Sequence, residues 1–147
     1  MQMTRPAHEA RRWTSRTFLA RGRLPRILVV DDNSSGADAL AAYLEMSKHK
    51  VTAVYGSAAA IAAAWVWKPD VVLLDISMPR IDGFAVARAL RSNLRTTASV
   101  IVALTAHDEG FVRKRSSHAD FDAYCQKGLM LDSLSTLLAS FMRDVPP

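Results

Sequence analysis

Asp31 and Asp32 are adjacent, Asp75 lies 43 residues beyond Asp32, Thr105 lies 30 beyond that, and Lys127 another 22. The first three stops in this series follow short apolar runs: Ile27-Leu28-Val29-Val30, Val71-Val72-Leu73-Leu74 and Val100 to Leu104. Lys127 comes two residues after a further short segment, Phe121 to Cys125. If these ends converge, three carboxylates share one place, and like charges at close range raise the free energy of the ionised cluster. A divalent cation relieves the repulsion. An all-oxygen donor set with few protein ligands and room for water suits Mg2+. One carboxylate of such a cluster can also attack phosphorus and form an acyl phosphate. A hydroxyl and an ammonium beside it would balance the charge on the phosphoryl oxygens.

The elements that must position these residues are legible in the apolar pattern. Short continuous apolar runs suit strands buried on both faces of a parallel sheet. Ile27–Val30, Val51–Tyr55, Val71–Leu74, Val100–Leu104 and Phe121–Cys125 read as five such strands. Between them lie helical patterns. Ala37, Leu40, Ala41 and Leu44 recur at helical spacing, with Ser34 or Ser35 available as N-cap. Ser57 can cap an alanine-rich helix through Trp67, which Pro69 stops. A loop from Ile76 to Asp82, containing Pro79, leads into a helix from Phe84 to Arg91. Asp108 to His118 reads as a polar helix, and Leu131, Leu134, Leu137, Leu138 and Phe141 mark the last one. Strands alternating with helices imply a doubly wound α/β domain with a parallel sheet. In such sheets ligands bind outside the carboxyl ends of the strands. That rule gathers the two leading aspartates, Asp75, Thr105 and Lys127 at one edge.

Four segments carry a family resemblance: Ile27-Leu28-Val29-Val30-Asp31-Asp32-Asn33, Leu73-Leu74-Asp75-Ile76-Ser77-Met78-Pro79-Arg80-Ile81-Asp82-Gly83, Ala103-Leu104-Thr105-Ala106 and Tyr124-Cys125-Gln126-Lys127. In this order and at this spacing they resemble the receiver domain of two-component response regulators. The resemblance implies a flavodoxin-like five-stranded parallel sheet of order 2-1-3-4-5 with five helices, over residues 26–143, followed by a tail at 144–147. It implies Asp75 as phosphoacceptor. Asp31, Asp32, Asp75 and the backbone carbonyl of Ser77 would hold Mg2+, and Thr105 and Lys127 would stabilise the phosphoryl group. Thr105 and Tyr124 would be the switch pair, while Ser77 and His107 occupy positions that tune dephosphorylation. Gly83 fits the turn that opens the third helix. The implied donor is a histidine kinase or a histidine phosphotransfer protein. The implied output is a protein contact on the face of the fourth helix, fifth strand and fifth helix, and a homodimer is compatible with it. The implied setting is cytoplasmic.

Two positions depart from common patterns. Gly128 follows Lys127 where the family usually has a cis-linked proline. A cis bond to a non-proline residue costs about 2.5–4 kcal/mol, so a trans bond is expected. Ser77 stands where aspartyl-phosphate phosphatases place a second aspartate as general acid. The chain is therefore expected to be a phosphoacceptor rather than an enzyme in its own right. A non-phosphorylated scaffold with the same fold is the alternative reading.

The net charge of +5 is unevenly placed. Residues 1–26 hold seven arginines and one acid, whereas the remaining residues carry 12 basic and 13 acidic side chains. Residues 1–25 are expected to be a basic extension, disordered or partly helical. An arm that binds nucleic acid is the competing reading, for which steep salt dependence would be required. No secretory signal and no stretch of transmembrane length is present. Cys125 stands alone, so it forms no internal disulfide, and His8, His49 and His118 lack metal-ligand spacing. Neither G-x-G-x-x-G nor a Walker A pattern occurs. Trp65 and Trp67, two apart on one helix, are expected to face different ways. All three tryptophans, Trp13 included, are expected to lie away from the strand-end site.

Overall fold

The structure is a computed structural model that describes residues 10–78, 82–116, 120–128 and 131–143. The chain runs through β1 (Ala10–Arg12), β2 (Phe18–Leu19), β3 (Arg26–Val30), α1 (Ser34–Met46), β4 (Lys50–Val54), α2 (Ser57–Trp67) and β5 (Val71–Asp75). It continues through α3 (Gly83–Arg91), β6 (Val100–Thr105), α4 (Glu109–Arg115), β7 (Ala123–Gln126), α5 (Leu131–Phe141) and β8 (Met142–Arg143).

Strand side chains alternate between the two faces of a sheet. A strand such as β3, apolar after Arg26, therefore needs cover on both. Leu28 and Val30 pack with Ala60 and Ala64 of α2, Val86 and Leu90 of α3, and Val112 of α4. Ile27 and Val29 face the other way, toward Ala37 and Leu44 of α1 and Leu134, Leu138 and Phe141 of α5. The main sheet has the order β1-β7-β6-β5-β3-β4. β4, β3, β5, β6 and β7 are mutually parallel neighbours. Counted without the N-terminal strands, this is the expected order 2-1-3-4-5.

Helix starts differ in detail from the sequence reading. Asn33, rather than Ser34 or Ser35, caps α1, its side chain accepting from Gly36 N–H at 3.1 Å. Asn is as good a cap as Ser, and position 33 alone has the extended backbone a cap requires. Gly56 precedes α2 without a side-chain cap, and Ser57 is its first helical residue. α4 is shorter than expected. Asp108 caps it through Phe111 N–H at 2.8 Å, and it ends at Arg115. Trp67 packs against the core while Trp65 is half exposed under Arg95.

The N-terminal extension is the main correction. Residues 10–25 contain two short strands and no helix. β1 joins the edge of the main sheet antiparallel to β7, pairing Arg11 with Tyr124 and Arg12 with Ala123, and β2 pairs in parallel with β8. The arginines find partners inside the molecule. Arg12 donates to the carbonyls of Thr14 (2.7 Å), Arg16 (2.9 Å) and Ser140 (2.6 Å) and lies over the Phe141 ring. Arg23 forms a two-pronged pair with Asp70 at 2.7 and 2.8 Å. Arg16 and Thr14 both meet Asp122, at 3.0 and 2.6 Å. Residues 1–9, Pro79, His118 and the 144–147 tail lie outside the described residues. Among the described residues no helix is long and apolar enough to cross a membrane.

Candidate phosphoryl-acceptor site

β3 and β5 end side by side, Val30 opposite Leu74. Asp31 and Asp75 therefore emerge at the same edge. Both are buried, whereas Asp32 is exposed. Carboxylate oxygens of Asp31, Asp32 and Asp75 lie within 4.8 Å of one another. Lys127 Nζ donates to Asp31 Oδ2 at 2.8 Å and to Asp75 Oδ2 at 3.0 Å. The remaining oxygens are held by the backbone. Asn33 N–H donates to Asp31 Oδ1 at 3.0 Å, and Ser77 N–H donates to Asp75 Oδ1 at 2.9 Å. The Asp31 and Asp75 carboxylates thus have a fixed orientation before any ligand arrives.

The two buried acids are driven in opposite directions. Burial pushes the Asp75 carboxyl up, and the negative charge of Asp31 adds to this. The Ser77 amide and Lys127 offset the rise only in part. Burial also acts on Asp31, but Lys127 and the Asn33 amide outweigh it and hold Asp31 below the usual carboxylate range. Burial opposes the charge on Lys127, yet its hydrogen bonds to both carboxylates raise its pKa. Two acids and one shared cation leave the pocket with a net negative charge, as a cation site requires.

Thr105 closes β6 and is fully buried. Its Oγ1 accepts from His107 N–H at 3.1 Å, and the His107 carbonyl accepts from the Tyr124 hydroxyl at 2.6 Å. Tyr124 is itself buried, at 1% exposure. His107 is exposed at the approach to α4, its ring stacked on Phe111. Trp13 is not remote from this region, as the sequence had suggested. Its ring lies parallel to Tyr124 with centroids 6.3 Å apart.

The loops around the site explain two glycines. Lys127 N–H donates to the Thr105 carbonyl at 2.8 Å, so β7 pairing carries the lysine up to the site. Gly128 then turns the chain at φ +87°, a left-handed conformation that proline cannot adopt. No cis peptide bond occurs among the described residues, in line with the expected trans link. Gly83 opens α3 against the loop after Asp75. A methyl group there would collide with the Ile76 backbone and stand 2.7 Å from the Asp75 carbonyl oxygen. Gly83→Ala should therefore destabilise the fold by about 1–3 kcal/mol, the usual range for overpacking. It should also shift the Asp75 loop, so that thermal melting and phosphoryl uptake fall together. An unchanged melting curve would contradict this.

Residues 27–139 match the sequence model of the response regulator receiver domain. The chain belongs to this family. Over 86 residues the receiver is 37% identical to Protein PilH of Pseudomonas aeruginosa, covering 58% of this chain and 71% of PilH. It is 32% identical over 122 residues to Response regulator MprA of Mycobacterium avium, covering 83% of this chain and 53% of MprA. It thus spans about half the length of MprA, and of RpaA, a DNA-binding dual master transcriptional regulator of Synechocystis to which it is 28% identical. The chemotaxis protein CheY4 of Vibrio cholerae superposes with a TM-score of 0.75 at 21% identity, covering 80% of this chain and 98% of that one, a likeness of fold. The receiver domain of a sensor histidine kinase from Pseudomonas aeruginosa is 26% identical with a TM-score of 0.73, covering 80% of this chain and 97% of its own. That domain has a magnesium ion coordinated in its active site cleft.

Asp31, Asp32, Asp75, Ser77 and Lys127 come together, and Thr105, His107 and Tyr124 form a hydrogen-bonded series beside them at the end of β6. Sequence reasoning missed Asp122, whose side chain is fully buried among Thr14, Arg16, Arg91 and the Ile101 amide. A carboxylate inside an otherwise apolar strand-forming segment was the available signal. Cys125, read as a small buried hydrophobe, is 1% exposed, and burial pushes its thiol up to about 11. At pH 8 the folded receiver should hold about a hundred-fold fewer thiolates at this position than a thiol with its ordinary pKa. Alkylation should be negligible in the folded chain and rapid in denaturant. Fast labelling of the folded chain would contradict the buried placement.

Proposed function

We propose that this receiver takes a phosphoryl group from a phosphohistidine donor onto Asp75, in a reaction that requires Mg2+, and signals through a protein contact. The observation that carries the proposal is the bridging of Asp75 and Asp31 by Lys127 at the ends of adjacent strands. A pre-oriented nucleophile lies beside a cation that can follow the charge onto phosphoryl oxygens. A carboxylate oxygen of Asp75 forms the new P–O bond as the donor's P–N bond breaks, and the departing imidazole keeps the electron pair. The Thr105 hydroxyl can accept from His107 N–H and still donate to a phosphoryl oxygen. Lys127 pairs with another.

The donor set fits Mg2+. It offers hard oxygens only, three of them mutually close, and Asp32 is exposed where water can complete the shell. Asp31, Asp32, Asp75 and the Ser77 carbonyl would hold the ion. When bound, it neutralises carboxylate and phosphoryl charge that Lys127 alone cannot balance.

A groove between α1 and α5, lined by Asn33, Leu40, Leu131 and Leu134, runs up to Asp31 and Lys127 and gives a histidine kinase or phosphotransfer domain access. Ser77 and His107 flank the approach to Asp75, which suits residues that set the rate of hydrolysis. Thr105 and Tyr124 form the switch, and the output is the α4–β7–α5 face, whose β7 edge is paired with β1. The chain turns over no separate substrate, so it acts as a phosphoacceptor rather than an enzyme, in a cytoplasmic setting. The internal engagement of Arg12, Arg16 and Arg23 removes much of the basis for a nucleic-acid arm.

Incubation with a small acyl phosphate and Mg2+, read by intact mass, tests the proposal. One phosphoryl adduct is expected, absent with chelator and absent in Asp75→Asn. An adduct that persists in Asp75→Asn would contradict it.

A further inference from the structure

The outer face of the switch tyrosine is covered by the chain's own N-terminal segment. β1 is an edge strand, so its side chains alternate across β7. Ala10 and Arg12 face α5, where Arg12 stands over Phe141. Arg11 and Trp13 face α4. Arg11 pairs with Glu109 at 3.4 Å, and Trp13 Nε1 donates to Glu109 Oε2 at 2.6 Å. The Arg113 guanidinium lies 4.4 Å from the Trp13 ring centroid on its way across α4. The Trp13 ring is within 6° of parallel to Tyr124. Trp13 N–H donates to the Asp122 carbonyl at 2.7 Å, fixing the backbone at the end of the strand.

Tyr124 is the link between this arm and the Asp75 site. Its hydroxyl holds the His107 carbonyl, and His107 N–H holds Thr105 Oγ1. The series Trp13 ring, Tyr124, His107, Thr105 is therefore continuous. Chains of hydrogen bonds strengthen one another, and each depends on the next being in place. If the Tyr124 ring swung outward, its hydroxyl would leave the His107 carbonyl. With Trp13 stacked on its outer side and held by Glu109, that path is closed.

We infer that Trp13 is a positioning residue for the Asp75 site: a latch that keeps Tyr124 in its buried position and so holds the His107–Thr105 end of β6 set to donate to a phosphoryl group. The inference rests on the reading of Asp75 as phosphoacceptor. Coupling between two sites is reciprocal. A docked arm favours the phosphorylated site, and a phosphorylated site tightens the arm. Residues 14–16 stay anchored on Asp122, so residues 10–13 are the part that engages and releases.

The test uses the full chain with acetyl phosphate and Mg2+. Intact mass counts the adduct, and hydrogen exchange of residues 10–13 is read in the same sample. Phosphorylation should slow exchange of these residues by about five-fold or more, the lower end of typical site-to-site coupling. Trp13→Ala should slow phosphoryl uptake by a similar factor, and Trp13→Phe, which restores an aromatic face, should recover most of it. A residue that merely stabilised the fold would not make arm exchange respond to phosphorylation of the unmutated chain. That comparison decides the matter even if Trp13→Ala fails to fold. An adduct with unchanged or faster exchange at 10–13 overturns the latch and leaves the phosphoacceptor reading intact. Absence of any adduct overturns both.

Discussion

Asp122→Ala should destabilise the receiver by about 3–5 kcal/mol, the usual cost of removing one partner from a buried ion pair. The Asp122 side chain is fully enclosed, and Arg91 beside it is only 12% exposed. Burial already pushes the Arg91 guanidinium pKa down, against the pull of Asp122 and with the neighbouring charge of Arg16 adding to the fall. Without the carboxylate, two guanidinium groups would face each other in a poorly hydrated space. The Thr14 hydroxyl and the Ile101 amide would each lose an acceptor as well. A loss of this size lowers the melting temperature by roughly 10–20 °C in a domain of this length. It should also free the arm, because Thr14 and Arg16 reach the body of the receiver through this side chain. Protease cleavage within residues 10–23 should therefore appear in Asp122→Ala under conditions that leave the parent chain intact. Melting within a few degrees of the parent, with the arm still protected, would show that Asp122 does not anchor it.

Lys127→Ala carries the second large effect, and it moves two observables in opposite directions. The ammonium is the cation shared by Asp31 and Asp75. Its loss removes a positively charged partner from phosphoryl oxygens, which by analogy with other deleted charge stabilisers slows transfer by about 10²–10³-fold. Mg2+ has to compete with that ammonium for the same two carboxylates. Removing it leaves a more negative pocket, so Mg2+ affinity should increase. Uptake from acyl phosphate, followed by mass, and Mg2+ titration by calorimetry give the two readings. Weakened Mg2+ binding would indicate that the lysine shapes the pocket rather than balancing its charge.

Much of the site could be read from sequence because it depends on strand ends. Apolar runs fix which residues are strands, the strand–helix alternation makes the sheet parallel, and carboxyl-terminal ends of parallel strands share one edge. Asp31, Asp75, Thr105 and Lys127 follow from that geometry together with the family resemblance. The arm was not legible for the converse reason. Ala10-Arg11-Arg12 has neither apolar alternation nor strong strand formers, and its strand state is set by distant partners. Arg12 reaches Ser140, 128 positions away, and Trp13 reaches Glu109, 96 away. An arginine-rich terminus looks the same in sequence whether its guanidinium groups meet water or carbonyl oxygens. The choice of Asn33 over Ser34 as cap was equally invisible, since both residue types cap well and only the backbone distinguishes them.

The proposed function requires the phosphoryl group to sit on the Asp75 carboxylate. Borohydride reduces an acyl phosphate to the alcohol, so trapping the phosphorylated receiver and mapping its peptides locates the modified carboxylate directly. Homoserine at position 75, formed only with phosphodonor and Mg2+ present, is the expected result. Reduction at Asp31 or Asp32 instead, or a stable phosphoryl adduct that borohydride leaves untouched, would contradict the assignment of Asp75.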